Sequence, residues 1–265
     1  MQASDPIGIF DSGVGGTSIW KEIHQLLPAE KTIYLADSKN APYGKKPIPE
    51  IIRLSRKNTE RLLEMGCKTV VVACNTATTN AISELRASYD VPFIGIEPAI
   101  KPAALNSKTE AIGILATKGT LTSALFTRTS ELYAQNISVI EVEGNGLVEL
   151  IESGKKDAPE TQFLLERLLE PMLLEKIDYL VLGCSHYPYL VPLLKKILPA
   201  DVQIIDSGEA VARQTKMVLM QRNLLAEKNT SEDRKPQFYT NANPAILSDL
   251  IKASENDYAV SYLDF

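Results

Sequence analysis

Two short segments constrain this chain more than any other feature. Thr69-Val70-Val71-Val72-Ala73-Cys74-Asn75-Thr76 and Tyr179-Leu180-Val181-Leu182-Gly183-Cys184-Ser185-His186 each run apolar, reach a small residue and a cysteine, and then turn polar. An apolar run bounded in this way reads as a strand buried on both faces, which is the signature of a parallel sheet covered by helices. The polar residues after each run then stand at the carboxyl edge of the sheet, where open α/β sheets bind ligands. The cysteines lie 110 positions apart. Two similar half-molecules, each offering one thiol to a shared cleft, account for this arrangement.

The rest of the chain alternates in the same way. Strands are expected at 7–10, 33–36, 69–74, 91–98 (with a turn), 111–116, 138–142, 179–183 and 202–205. Helices are expected at 17–27, 49–65, from 75 to about 89, from the turn 117–120 to 134, at 147–151, at 161–174 with a kink at Pro171, at 189–198 and at 209–225. Residues 38–47, with two prolines and a glycine, read as a loop without regular structure. Residues 227–235 read as a charged linker. The tail reads as a segment at 238–240, a helix from 244 and a segment at 258–263.

The two cycles also resemble each other. Ile7-Gly8-Ile9-Phe10 lines up with Ile112-Gly113-Ile114-Leu115 at an offset of 105, and Ile94 lines up with Ile204 at 110. Alternating strands and helices imply an α/β fold. The expected architecture is two pseudo-symmetric, doubly wound domains with mainly parallel sheets and a site in the cleft between them.

Composition removes several classes of function. A chain of 265 residues can build two modest domains with full cores. A net charge of −5 leaves no basic footprint for nucleic acid or an anionic membrane. Three cysteines are too few, and odd in number, for a secreted disulfide framework. The first residues carry no secretory leader, and no apolar run reaches membrane-spanning length. A cytoplasmic protein with reduced thiols is expected.

Cys74 and Cys184 each precede an expected helix, a position that lowers a thiol's pKa. Cys67 precedes its strand, at the opposite end from Cys74, and reads as an inert buried thiol. No C-x-x-C spacing favours a redox pair. An acid–base pair has a specific use: one sulfur removes a proton from a carbon and the other returns one to the opposite face, inverting it. An amino-acid α-hydrogen is very weakly acidic, so donors around the carboxylate must stabilise the developing carbanion.

Asp11-Ser12-Gly13-Val14-Gly15-Gly16 supplies a turn whose glycines let backbone amides approach an anion at a helix start. Ser12 adds a donor, and Asp11 could orient or deprotonate a nearby group. His186, two residues past Cys184, could be that thiol's proton partner. His24 reads as a structural histidine. Tyr43, in the Pro42-Tyr43-Gly44 loop, could donate through its backbone or its hydroxyl. No metal cluster and no lysine suited to a pyridoxal Schiff base is visible, so no metal or cofactor is expected. The competing pattern is a dinucleotide turn, Gly13-x-Gly15-x-x-Ser18 with Asp37 at the end of the next strand. That pattern leaves the paired cysteines unexplained.

At Asp11-Ser12-Gly13-Val14-Gly15-Gly16, Ala41-Pro42-Tyr43-Gly44, Ala73-Cys74-Asn75-Thr76-Ala77-Thr78 and Gly183-Cys184-Ser185-His186-Tyr187-Pro188 the chain resembles the cofactor-independent glutamate racemases of bacterial cell-wall synthesis. The resemblance implies domains of residues 1–97 with 208–265, and 98–207. It implies that Cys74 acts on D-glutamate, assisted by Asp11, and that Cys184 acts on L-glutamate, assisted by His186. Asp11, Ser12, Tyr43, Gly44, Asn75, Thr76, Ser185 and His186 would hold the substrate, and the D-glutamate formed would enter peptidoglycan. A homodimer is expected. The family usually has threonine where Ser185 stands, which keeps the hydroxyl. It often has arginine where Lys39 stands, and lysine loses the bidentate fork. The rival readings are a racemase acting on aspartate or a hydantoin, and a non-catalytic module that binds an acidic ligand.

Overall fold

The computed structural model describes residues 1–226, 235–256 and 258–265. All but Lys235 of the expected charged linker lies outside these residues. The first sheet takes β1 (Ile7–Asp11), β2 (Thr32–Ala36), β3 (Thr69–Val72) and β4 (Phe93–Gly95). The second takes β5 (Ala111–Ala116), β6 (Ser138–Glu143), β7 (Tyr179–Gly183) and β8 (Gln203–Ile205). The chain then returns through the helix Gly208–Gln221, which packs on the helix Thr17–Leu26. It adds β9 (Gln237–Thr240) and β10 (Ala259–Tyr262) to the first sheet. The strand orders are β10-β9-β2-β1-β3-β4 and β6-β5-β7-β8.

All the paired strands are parallel. Parallel sheets need helices on both faces, and the burial follows: every residue of β1, β2 and β3 is buried. The edge strand β6 alternates toward solvent and carries Glu141 and Glu143, charges that discourage a further strand from pairing. One apolar cluster includes Ile7 and Ile9 of β1 together with Leu115 of β5 and Leu180 and Leu182 of β7. The two sheets therefore share core, as well as facing one another.

The repeat read from the sequence is a repeat of topology. The order β2-β1-β3-β4 in one sheet matches β6-β5-β7-β8 in the other. The register matches too. Phe10 pairs with Val72, and Leu115 pairs with Leu182, the residues that offsets of 105 and 110 place in correspondence. The last strand departs by one residue: Val70 pairs with Phe93, but Leu180 pairs with Ile204, so Phe93 and not Ile94 is the counterpart of Ile204.

Several element boundaries also depart from expectation. The helix expected to run to 134 is two helices, Lys118–Leu121 and Ala124–Tyr133. Ser123 breaks it, because its hydroxyl accepts from the Phe126 N–H and caps the second helix. The helix expected at 189–198 is a 3-10 turn, Tyr187–Leu190, followed by Val191–Ile197. The loop at 38–47 contains two 3-10 turns, Ser38–Asn40 and Tyr43–Lys45. A helix at Ile100–Asn106 was not anticipated. The helix Pro159–Leu174 continues through Pro171.

Candidate active site

A cavity of ≈ 10 Å³ lies between the carboxyl ends of the two sheets. Its wall contains Ser12, Tyr43, Gly44, Cys74, Asn75, Thr76, Cys184, Ser185 and His186. Among the residues named from the sequence for the site, Asp11 alone is not on that wall; it stands behind it, fully buried. Pro42, Thr117 and Val148 complete the lining; Pro42 belongs to the loop motif read from the sequence, whereas Thr117 and Val148 were not named for the site. A volume of this size suits about one water, so an amino acid enters only when the walls part. Contacts close the seam: Thr76 Oγ1 meets Thr117 Oγ1 at 2.8 Å, Asn80 Nδ2 donates to the Gly119 carbonyl at 2.9 Å, and Lys45 pairs with Glu149 at 2.5 Å.

Cys74 is the N-cap of the helix Asn75–Ser88. Its sulfur accepts from the Ala77 N–H at 3.4 Å and lies 3.6 Å from Ser12 Oγ. The expectation of a lowered pKa fails here. Burial pushes the thiol up, and the charge of Asp11 adds to it; the Ala77 N–H and the Ser12 hydroxyl pull the other way without prevailing. Next to it, both polar atoms of the Asn75 side chain are buried and unpartnered among the described residues. Buried amide groups are normally satisfied, so an orphaned one on a cavity wall points to a ligand as its partner.

Cys184 follows β7 without a helix directly behind it; its carbonyl accepts from the Tyr187 N–H at 3.1 Å, opening the 3-10 turn. Its sulfur stands 3.8 Å from His186 Nδ1. The other ring nitrogen, Nε2, lies 2.6 Å from Glu152 Oε1. Burial opposes charge on the imidazole, but the hydrogen bonds to Cys184 and Glu152 and the charge of Asp11 outweigh it and hold the pKa well above the usual histidine value. His186 therefore faces Cys184 with its basicity raised, its Nε2 shared between the Glu152 carboxylate and the Gly15 N–H.

Glu152, the partner of His186, is a residue that sequence reasoning missed. It ends the short helix Leu147–Glu152 and lies 34 positions from His186, with no motif around it. Its carboxylate also accepts from the Val14 N–H at 2.7 Å and from the Ser38 hydroxyl at 2.8 Å.

This changes the meaning of the glycine turn. Its amides face protein groups: Gly16 N–H donates to Asp11 Oδ2 at 2.9 Å, Val14 N–H donates to Glu152, and Gly15 N–H lies 3.3 Å from His186 Nε2. A Cβ on Gly13 would overlap the Glu152 carboxylate, and one on Gly15 would overlap the His186 ring. The glycines permit these side chains to close in, and Ser12 is the member of the turn that reaches the cavity. Asp11 Oδ1 accepts from the Ser185 hydroxyl at 3.2 Å, and burial raises the Asp11 pKa despite His186 nearby.

The hydroxyl of Tyr43 is also committed to the protein. It donates to Asp37 Oδ2 at 2.5 Å and accepts from Asn58 Nδ2 at 3.0 Å. Burial and the Asp37 charge hold it protonated. Only its backbone remains for a ligand. Lys39 pairs with Asp264 at 3.7 Å on the surface, away from the cavity wall. Cys67 packs against Gly8, with its thiol pushed up to about 12 by burial, and His24 stacks on Trp20. Among the described residues no group of three or more His, Cys, Asp or Glu side chains could hold a metal ion, and no helix is long and apolar enough to cross a membrane.

Comparison with known proteins finds relatives over most of the chain. The family model described as Asp/Glu/Hydantoin racemase matches residues 7–215. A glutamate racemase of Ectopseudomonas mendocina is 47% identical over 234 residues, covering 88% of this chain and 89% of the relative. The structure of Escherichia coli glutamate racemase in complex with L-glutamate and activator UDP-MurNAc-ala superposes with a TM-score of 0.84 at 32% identity, covering 98% of each chain. That of Francisella tularensis glutamate racemase in complex with D-glutamate superposes with a TM-score of 0.83 at 26% identity, covering 99% of this chain and 98% of the other.

Proposed function

The chain belongs to the Asp/Glu/hydantoin racemase family, and we propose that it interconverts L- and D-glutamate through two cysteine bases on opposite faces of the α-carbon. The observation that carries this reading is the placement of two buried thiols at equivalent strand ends, on the wall of one cavity, each with its own proton-handling neighbours. A binding module needs neither thiol.

Cys74 removes the α-proton of D-glutamate and Cys184 that of L-glutamate. One sulfur must start each turnover as a thiolate and the other as a thiol. On the Cys184 side, the imidazolium of His186 holds the proton that Cys184 gives up. Glu152 fixes the ring from its far nitrogen and stabilises its charge. On the Cys74 side, the charge of Asp11 acts on the sulfur from behind the wall, and Ser12 lies within hydrogen-bond reach. The carbanion is stabilised by donors around the substrate carboxylates: the free amide of Asn75, the hydroxyls of Ser12 and Thr76, and the backbone amides of Tyr43 and Gly44; the Ser185 hydroxyl, whose proton goes to Asp11, is left to accept from the substrate ammonium. Asp11 contributes by holding Ser185 in place.

The same reading assigns residues 1–97 with 208–265 to one domain and 98–207 to the other, supported by strand membership in the two sheets. It has the protein act in the cytoplasm as a homodimer and supply D-glutamate to peptidoglycan. The test is the circular dichroism of D-glutamate after addition of purified protein without cofactor. The signal should decay to zero. An unchanged signal, or a faster decay with D-aspartate, would overturn the assignment.

A further inference from the structure

Asp37 follows β2 at the carboxyl edge of the first sheet, fully buried and off the cavity wall. Four donors converge on its carboxylate. They are the Tyr43 hydroxyl at 2.5 Å, Asn40 Nδ2 at 2.8 Å, Asn241 Nδ2 at 2.5 Å and Lys57 Nζ at 3.2 Å. Tyr43 belongs to the loop that lines the cavity. Lys57 stands on the helix Ile48–Glu64, and Asn241 directly follows β9. Both also reach further into the chain. Lys57 Nζ donates to the Phe265 carbonyl at 2.8 Å and lies 5.1 Å from the centre of the Phe265 ring. Asn241 Oδ1 accepts from the Lys39 N–H at 2.9 Å. Among the described residues, none from 237 onward lines the cavity. One carboxylate nevertheless links that segment to the loop that does.

We propose that Lys57 and Asn241 are positioning residues: acting through Asp37, they fix the Pro42-Tyr43-Gly44 loop, so that the C-terminal strand pair sets how tightly the substrate is held. The proposal rests on the racemase reading above. The Tyr43 ring is locked at its hydroxyl by Asp37 and Asn58, so the position of its backbone amide follows the position of Asp37. Lys57 is the one cation among the described residues at ion-pair distance from that carboxylate. Removing one partner of a buried charge leaves the other uncompensated, and the remaining donors rearrange around it. The hydrogen-bond partners of the cysteines lie outside this cluster: Ser12 and the Ala77 N–H for Cys74, and the His186 ring for Cys184. A loosened loop therefore costs binding and spares chemistry.

That split separates positioning from a merely structural role. Glutamate racemisation is measured in both directions for the wild type, Lys57→Met, Lys57→Arg, Asn241→Ala and the Lys57→Met/Asn241→Ala double variant. Arg56→Met is the control: it removes an ion pair to Glu84 from the same helix but does not address Asp37. Lys57→Met should raise KM about tenfold for both enantiomers while kcat stays within about threefold, the pattern of lost uniform binding. Lys57→Arg should recover most of the loss, and Arg56→Met should leave KM unmoved. Asn241→Ala should raise KM by itself, which keeps the test alive if the methionine variant does not fold. The double variant should raise KM by less than the product of the two single effects, because both act through one carboxylate. An unmoved KM in Lys57→Met, an equal rise in Arg56→Met, or fully independent effects of Lys57 and Asn241 would overturn the proposal alone. A wild-type protein that leaves glutamate optically unchanged would overturn the racemase reading and this proposal with it.

Discussion

The ends of β3 and β7 are the same position in a repeated fold, and they surround their sulfurs with different groups. Both strands pair with the first strand of their sheet in the same register, and both release the chain at a cysteine. Beyond that point they diverge. Cys74 caps a fourteen-residue helix and has a hydroxyl and a backbone amide for company. Cys184 opens a 3-10 turn and has an imidazole, backed by a carboxylate. Sheet topology delivers two sulfurs to one cavity; the few residues after each strand decide what each sulfur can do with a proton. The symmetry belongs to the scaffold, and the asymmetry belongs to the chemistry.

The comparison breaks most completely if either sulfur is dispensable. Cys74→Ala and Cys184→Ala should each lower racemisation by a factor of about 10³ or more, since each removes a base that no neighbour replaces. Cys67→Ala, measured by the same decay of circular dichroism, should stay within a few-fold. Equal tolerance of all three substitutions would show that strand-end placement carries no chemistry.

Glu152→Gln sharpens the comparison on the Cys184 side. It should lower kcat/KM about tenfold or more, within the range of a lost acid–base partner. The two enantiomers have equal energy, so kcat/KM must fall equally in both directions. The asymmetry appears in isotope effects. With α-deuterated L-glutamate the substrate isotope effect should rise, because proton removal by Cys184 becomes more limiting. With α-deuterated D-glutamate it should fall, because delivery of a solvent-derived proton becomes limiting instead. Ser12→Ala should produce the opposite pattern with a smaller, few-fold loss. Identical isotope changes in the two variants would mean that the two ends are not distinct.

The smallest effect is on stability. His186 has a raised pKa, so its charged interactions contribute fully below the unfolded histidine value of about 6.5 and are lost as pH rises through the higher folded value. The Tm difference between the wild type and His186→Asn should therefore shrink from pH 6 toward pH 9. A difference that grows with pH would contradict the raised pKa.

Much of this arrangement was legible in the sequence because parallel sheets write themselves as short, continuous apolar runs. The runs at Ala111–Ala116 and Tyr179–Gly183 gave their strands without error in either boundary. Cys74, Asn75, Thr76 and Ser185 were legible because a polar residue just past a buried strand has only the sheet edge to occupy. Glu152 was not, because its link to His186 is made in space, between two segments that no local pattern joins. The glycine turn was read as open to an anion because its backbone chemistry is right for one; the carboxylates that occupy it come from Asp11 and a distant helix. The pKa of Cys74 was misjudged for a related reason. Helix position is visible in a sequence, whereas the burial that outweighs it depends on the whole fold. Ser123 shows the same limit on a local scale, since a capping hydroxyl inside an apparent helix can end one helix and start another.

The central claim is that Cys74 and Cys184 serve opposite faces of one carbon, and isotope placement tests it most directly. In heavy water, racemisation is stopped after a few per cent conversion and run from each enantiomer in turn. Mass and chirality are read together. The account predicts that the product carries deuterium at the α-carbon while the remaining starting enantiomer keeps its proton, because the sulfur that returns a proton is not the one that removed it. Product that largely retains its original proton, or starting material labelled as fast as product, would contradict it.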